Sequence, residues 1–277
     1  IINASWGGTP AEAWADETSI NKNFKENEIK NFTVNKIKSH DPSALFNGMI
    51  NPLIPFKIKG ALWYQGESNV SRASNYTKLM NVLIDSWRSA WNQNVFPFYF
   101  VQIAPYTYSG SNNSESAFLR EAQLKTMLES KNSGMVVTLD IGNEFSIHPE
   151  EKVIIGKRLA YWALAKDYNV MGIPYSGPIY KSIEIKENKI IVDFDYSEYG
   201  FIFFNSKING FEIAGKDKVF YPATVNVMYG ENVSKLTVYS EKVKEPIAVR
   251  YGWKNYLKGN LYNIEGLPAS SFRSDNW

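Results

Sequence analysis

The sequence GALWYQGESN, residues 60–69, starts as a short apolar run and ends in a polar cluster. A buried strand of a parallel sheet that leads into a loop has this pattern. In open α/β sheets, ligands bind beyond the carboxyl ends of the strands, and Gly66 would let the backbone turn sharply there. The polar side chains that this places at the sheet edge are Gln65, Glu67, Ser68 and Asn69. The alternative is an ordinary strand end whose polar residues are only solvated.

Strand and helix patterns alternate through the first part of the chain. The predicted strands beyond this stretch are 98–104 and 135–140, and the predicted helices are 76–91, 117–129 and 150–166. Such alternation is typical of a doubly wound parallel sheet flanked by helices. We therefore predict an α/β domain over residues 1–170.

The pattern changes after Met171. Pro174, Gly177 and Pro178 mark a boundary, and helical periodicity is lacking beyond it. Short strands separated by turn residues follow, the first of them predicted at 183–194. Residues 171–277 are therefore predicted to form an all-β domain that resembles a sandwich.

The composition excludes several classes of protein. A net charge of +2 without a long basic run argues against nucleic-acid binding, and no apolar stretch reaches the roughly 20 residues of a membrane helix. The chain has no cysteine, which excludes disulfides and thiol catalysis but leaves the compartment open. Its only histidines, His40 and His148, are too few for a multi-histidine zinc site, so we expect neither a metal nor a cofactor.

Residues 1–14 read as the end of a strand, a glycine turn and the start of a helix. Thr9 is predicted to cap this helix, with Glu12 completing a capping box. Gly7 and Gly8 lie just before the cap, where main-chain N–H groups can be left free; alternatively, they only make the turn. Because Ile1 stands in what looks like mid-strand, we expect that an upstream segment is missing.

His148 lies in a polar loop after an apolar strand, where an imidazole can act as a general base, although loop histidines are common. A main-chain N–H of Gly7 or Gly8 and the side-chain amide of Asn69 could form an oxyanion hole, because a tetrahedral oxyanion needs fixed donors. Together these groups indicate acyl transfer, as in ester or amide hydrolysis. Ser68 is not favoured as the nucleophile, because its surrounding sequence lacks the closing glycine of a nucleophile elbow.

Several motifs resemble those of the sialate O-acetylesterases, a family within the SGNH hydrolase superfamily. The motifs are WGGTP (6–10), NGM (47–49), WYQGESN (63–69), IHP (147–149), NLYN (260–263) and GLPAS (266–270). The resemblance spans nearly the whole chain. It implies an SGNH-hydrolase-like parallel sheet flanked by helices, and a serine esterase that removes acetyl groups from sialic acid or related sugars.

The resemblance also implies roles for individual residues. Gly7, Gly8 and Asn69 match the family's oxyanion-hole positions, and His148 matches its catalytic histidine. The family's serine lies in a Gly-Gln-Ser-Asn string upstream of the tryptophan-glycine block, and this chain contains no such string. We therefore expect the serine in the missing N-terminal segment, which could be a separate chain and hence a partner.

The residue that orients the catalytic histidine is left open. Family members often carry an aspartate two residues before the histidine, and this chain has Ser146 there. Glu67, Asp140 or a backbone carbonyl near Ser146 could instead hold His148, although a carbonyl stabilises an imidazolium less than a carboxylate does.

The expected partner is an O-acetylated sugar, with neither a nucleic acid nor a membrane involved. Gln65 and Arg120 are predicted to contact this substrate, Arg120 through a sugar carboxylate; the alternative for Arg120 is a structural helix residue. An acetylxylan esterase or other sugar acetylesterase is a second possible function, and a non-catalytic carbohydrate-binding module is a third. We expect a secreted or periplasmic location.

Overall fold

The computed structural model describes residues 1–32, 37–108, 113–203 and 207–277. The chain forms two compact units, the first from residues 1–103 and 122–135 and the second from residues 104–121 and 136–277. The predicted division between residues 170 and 171 stays a prediction. Among the described residues, none of the helices has the length and apolar character that a membrane crossing requires.

A three-stranded sheet in the order β1-β2-β3 underlies the α/β part of the chain. β1 (Ala61–Tyr64) pairs in parallel with β2 (Phe98–Val101), and β3 is Ser133–Val136. β1 is the strand that the opening stretch predicted, and it leads directly into the polar loop. The predicted parallel sheet with flanking helices is confirmed.

The helix that follows β1 confirms its predicted amphipathic pattern. Leu79, Met80 and Leu83 are at most 1% exposed, so the apolar stripe faces the core. The helix ends at Trp91, and the next residue, Asn92, adopts a left-handed conformation and donates its N–H to carbonyls of the last turn. The helices are α1 (Glu17–Asn23), α2 (Glu26–Phe32), α3 (Ala73–Trp91), α4 (Glu115–Glu129) and α5 (Lys152–Lys166).

A tryptophan cluster lies behind the β1 loop. The ring of Trp63 on β1 meets Trp14 at 5.8 Å and Trp87 at 5.9 Å, both edge to face, a favoured geometry for aromatic pairs. The indole N–H of Trp87 donates to the carbonyl of Trp14 at 2.7 Å. These contacts fix the 3-10 helix Ala11–Trp14 against α3, and with it the preceding glycine turn.

The second unit contains antiparallel sheets, which confirms the predicted all-β character of the C-terminal part. Two four-stranded sheets have the orders β4-β5-β10-β9 and β13-β11-β7-β8, and β6 pairs with β12. Phe272 stacks on Tyr180 at 4.5 Å and meets Phe194 at 5.6 Å, so aromatic rings join the two larger sheets. The strands are β4 (Ile179–Lys186), β5 (Lys189–Asp195), β6 (Phe201–Ile202), β7 (Phe211–Ala214), β8 (Phe220–Pro222), β9 (Thr224–Val227), β10 (Lys235–Tyr239), β11 (Ala248–Tyr251), β12 (Tyr262–Asn263) and β13 (Phe272–Arg273).

Four predicted strands were wrong in extent or existence. The strand predicted at 98–104 ends at Val101. Residues 183–194 form the hairpin of β4 and β5 rather than one strand. The apolar residues of the first arm, Ile183 and Ile185, stand at odd positions, whereas the buried residues of the second arm stand at even positions from Ile190 onwards. Between the arms, Glu187 turns the chain with a φ of 53°. β3 ends at Val136, because the next carbonyl accepts a side-chain hydrogen bond from Arg158 instead of continuing the ladder. Residues 1–4 form no strand, because a strand needs a neighbouring strand whose main-chain groups can accept and donate its hydrogen bonds.

Candidate functional site

In the first unit, hydrogen bonds join the glycine turn to the loop after β1. The hydroxyl of Ser68 donates to the carbonyl of Gly8 at 2.9 Å, and the side-chain amide of Gln65 donates to the carbonyl of Thr9 at 3.1 Å. The N–H of Ala11 donates to Oδ1 of Asn69 at 3.0 Å. Two stretches about sixty residues apart are therefore held side by side, as the sequence predicted for these loops.

The glycine turn presents main-chain donors to solvent. Gly7 and Gly8 are exposed, and their N–H groups make no hydrogen bond to the residues that the structure describes. Gly8 has a φ of +74°, a left-handed conformation that would strain any residue with a side chain. The turn can therefore offer free donors to a ligand oxygen.

The predicted capping box at Thr9 was wrong. The Thr9 hydroxyl donates to the carbonyl of Trp6 at 2.7 Å and accepts from the indole of Trp14 at 3.0 Å. The helix begins after Pro10 without a side-chain cap, and it is a short 3-10 helix. Glu12 turns instead towards Asn69 and Arg72, because those partners satisfy its buried carboxylate.

Asn69 is 1% exposed, and its amide is held from both sides. Its Oδ1 accepts from Gln65 at 2.6 Å as well as from Ala11, and its Nδ2 donates to Oε2 of Glu12 at 2.8 Å. The amide carries two N–H bonds, and the second has no partner among the described residues. Its predicted role as an oxyanion donor stays a prediction with one free N–H to perform it.

Gln65 is tied into the same network. Its Nε2 donates to both Thr9 and Asn69, and its Oε1 accepts from the Tyr76 hydroxyl at 2.9 Å. Burial raises the pKa of Tyr76 well above its ordinary value, so this phenol stays a neutral donor. Substrate binding by Gln65 stays a prediction, and these contacts favour a scaffolding role.

Glu67 opens the 3-10 helix Glu67–Arg72 and is half-buried. Burial raises the pKa of Tyr64, and the nearby negative charge of Glu67 adds to this rise. The carboxylate thus lies within electrostatic reach of the end of β1. Orientation of the catalytic histidine by Glu67 stays a prediction.

His148 belongs to the second unit, in the irregular loop between β3 and α5. Its side chain is exposed and makes no hydrogen bond to a described residue of that unit. The Ser146 hydroxyl donates to the carbonyl of His148 at 3.2 Å and accepts from its N–H at 3.3 Å. Ser146 therefore shapes the backbone at His148, and ring orientation by a group near Ser146 stays a prediction.

A buried ion pair fixes the start of this loop to the helix that follows it. The carboxylate of Asp140 accepts hydrogen bonds from the two terminal guanidinium nitrogens of Arg158, at 2.8 and 2.6 Å. Arg158 also donates to the carbonyl of Val137. Both side chains are at most 9% exposed. Because its two oxygens are engaged by Arg158, Asp140 is not favoured as the group that orients His148.

Arg120 is completely buried in the second unit. Its guanidinium donates to the hydroxyls of Ser116 and Ser271 and to the carbonyls of Gly252 and Lys254, at 2.6–3.1 Å. Burial lowers its pKa to about 10, which still leaves it charged at neutral pH. Substrate binding by Arg120 stays a prediction, and the contacts favour the structural alternative.

A comparison with models of protein families shows the family to which this chain belongs. The model of the carbohydrate esterase family described as sialic acid-specific acetylesterase matches residues 1–165. The chain belongs to this family. The resemblance that the WGGTP, WYQGESN and IHP motifs carried is therefore confirmed.

Individual members of this acetylesterase family align with nearly the whole of this chain. The human sialate O-acetylesterase is 29% identical over 98% of this chain and 56% of its own length, and the rat sialate O-acetylesterase is 26% identical over 98% and 59%. The crystal structure of a carbohydrate acetylesterase from Xanthomonas citri matches with a TM-score of 0.87 and 36% identity, over 99% of this chain and 60% of that one. The chain spans a little more than half the length of these family members.

Sequence reasoning missed Glu12 and Arg72 as members of the site in this family member. Glu12 is recognised only through its contacts with Asn69, 57 residues away, and with Arg72, 60 residues away. The one available signal was Glu12, an acidic residue within an apolar segment, and the local pattern assigned it to a cap. Trp6 was quoted only as part of a motif, yet its ring is 56% exposed beside the glycine turn.

Proposed function

We propose that this chain is the larger part of a carbohydrate O-acetylesterase that removes O-acetyl groups from sialic acid by serine-histidine catalysis. One observation carries the proposal: the turn with the free main-chain N–H groups of Gly7 and Gly8 is held beside the buried amide of Asn69. The N–H of Ala11 donates to Asn69, and the hydroxyl of Ser68 donates to the carbonyl of Gly8. Donors fixed before the reaction stabilise a developing oxyanion at no reorganisation cost. Membership of the acetylesterase family supports this use of them.

The proposed reaction has two steps. A serine Oγ attacks the acetyl carbonyl carbon while His148 takes the hydroxyl proton, and the N–H groups of Gly7 or Gly8 and Asn69 hold the oxyanion. The tetrahedral intermediate expels the sugar oxygen, which receives its proton from the imidazolium. Water then attacks the acetyl-enzyme with His148 as base, and acetate leaves as the serine regains its proton.

We further propose that the serine is contributed from outside these 277 residues. The hydroxyl of Ser68 donates to the carbonyl of Gly8, and a carbonyl oxygen cannot take its proton as a base would. Leu62 on β1 is 65% exposed, although strands of parallel sheets are normally covered on both faces. A further segment that carries the serine would cover it.

Acetate release by the full-length protein tests the function. We expect turnover of an O-acetylated sialic acid, faster than that of acetylated xylan, and labelling of one serine by a fluorophosphonate. Faster turnover of acetylated xylan would assign the other sugar substrate. Binding of sugar without acetate release would assign a carbohydrate-binding module, and would contradict the esterase. The secreted or periplasmic location stays a prediction that cell fractionation can test.

Replacement of Ser68 by alanine is expected to lower kcat by no more than about 5-fold, because it removes a single loop-to-loop hydrogen bond. Steady-state kinetics of the full-length variant on an acetyl ester measure this. A loss of about 10³-fold or more would instead identify Ser68 as the nucleophile.

A further inference from the structure

Glu12 is the most completely buried carboxylate of the first unit, with 0% exposure. Burying a carboxylate is costly unless charged or hydrogen-bonding groups surround it. The described partners of Glu12 are Arg72, which meets Oε1, and the Asn69 amide, which meets Oε2. The second contact links this charge directly to the proposed oxyanion donor.

The groups around Asn69 allow its amide only one orientation. Two donors, the N–H of Ala11 and the amide of Gln65, point at Oδ1, and a carboxylate accepts from Nδ2. A flipped amide would set its oxygen against the carboxylate and its nitrogen against both donors. Glu12 is therefore the acceptor that keeps Nδ2 of Asn69 facing the Glu12 carboxylate. The remaining N–H of Nδ2 then points in a fixed direction.

We infer that Glu12 is a positioning residue for the Asn69 oxyanion donor, with Arg72 holding its carboxylate in place. This inference rests on the proposed function of Asn69 and assigns Glu12 no contact with substrate. Replacement of Glu12 by glutamine reverses the contact. Arg72 takes the one oxygen of the new amide, which turns its NH₂ group towards the NH₂ group of Asn69.

A double-mutant cycle in the full-length enzyme separates positioning from mere structural support. Asn69→Ala is expected to lower kcat on an acetyl ester by about 10²- to 10³-fold, as loss of one oxyanion donor does. Glu12→Gln is expected to lower kcat by about 10- to 100-fold with KM changed less than about 3-fold. In the Asn69→Ala background, Glu12→Gln is expected to lower kcat by less than about 3-fold, because the group that it positions is gone.

Glu12→Asp provides a second variant if Glu12→Gln folds poorly. It keeps the charge for Arg72 but shortens the side chain by one methylene, so it withdraws from Asn69 and should lower kcat in the same non-additive way. Glu17→Gln is the matched control, since it makes the same change at an exposed carboxylate outside this network and should keep kcat within about 2-fold. Thermal melts of every variant show which of them are folded.

The outcomes distinguish the inference from the function on which it rests. Equal losses from Glu12→Gln in both backgrounds, or no loss in either, would overturn the positioning role while leaving Asn69 as a donor. An Asn69→Ala enzyme with an undiminished kcat would overturn the oxyanion assignment itself, and the role of Glu12 with it.

Discussion

The His148→Ala variant of the full-length protein is expected to release acetate with a kcat lowered by about 10³-fold or more. Without the imidazole no group in the proposed mechanism takes the serine proton, and none protonates the leaving sugar oxygen. KM should change little, because His148 acts on the proton transfers rather than on ground-state binding. The measurement is steady-state kinetics on an O-acetylated sialic acid.

His40 offers a matched control for this experiment. It is the other histidine of the chain, and it lies in a separate 3-10 turn, Lys38–His40. His40→Ala should keep kcat within about 2-fold, since substitutions away from special contacts are usually small in effect. Near-normal turnover by His148→Ala would show that the base is another residue.

The Arg120→Met variant is expected to lose about 3–5 kcal/mol of unfolding free energy, which would lower Tm by roughly 10 °C. The guanidinium is fully buried, and its removal leaves two hydroxyls and two carbonyls without their donor. The expected loss comes from these oxygens, which stay buried without their donor. Chemical denaturation measures it.

The same variant decides between the two roles considered for Arg120. KM for an acidic sugar should stay within about 2-fold in the folded enzyme, because the guanidinium faces the protein interior. Lys125→Met, at an exposed position of the same helix, should change stability by less than about 0.5 kcal/mol. A raised KM with unchanged stability would restore Arg120 as a substrate ligand.

Local patterns were sufficient to predict the elements that place the first-unit loops. The apolar run of residues 61–64 and the helical stripe of α3 each express a period within one segment, and both formed as expected. The hairpin at 183–194 was missed because its two arms alternate similarly, and only the change of phase between them marks the turn.

The polar network could not be predicted in the same way. Glu12 reads as a capping residue from its neighbours, and only tertiary contacts with Asn69 and Arg72 reassign it. Arg120 likewise finds Ser271 at a distance of 151 residues along the chain. A buried charged group pairs with the polar groups that the fold places next to it. Its role therefore depends on long-range packing, which the spacing of residues in the sequence does not reveal.

The indole of Trp87 bonds the carbonyl that closes the turn bearing Glu12, and its ring touches Trp63. The emission of these rings depends on how dry and how tightly packed their surroundings are. Tryptophan fluorescence can therefore monitor the packing beneath the donor loops. Any loosening there lets water reach the indoles and shifts their emission maximum to longer wavelengths.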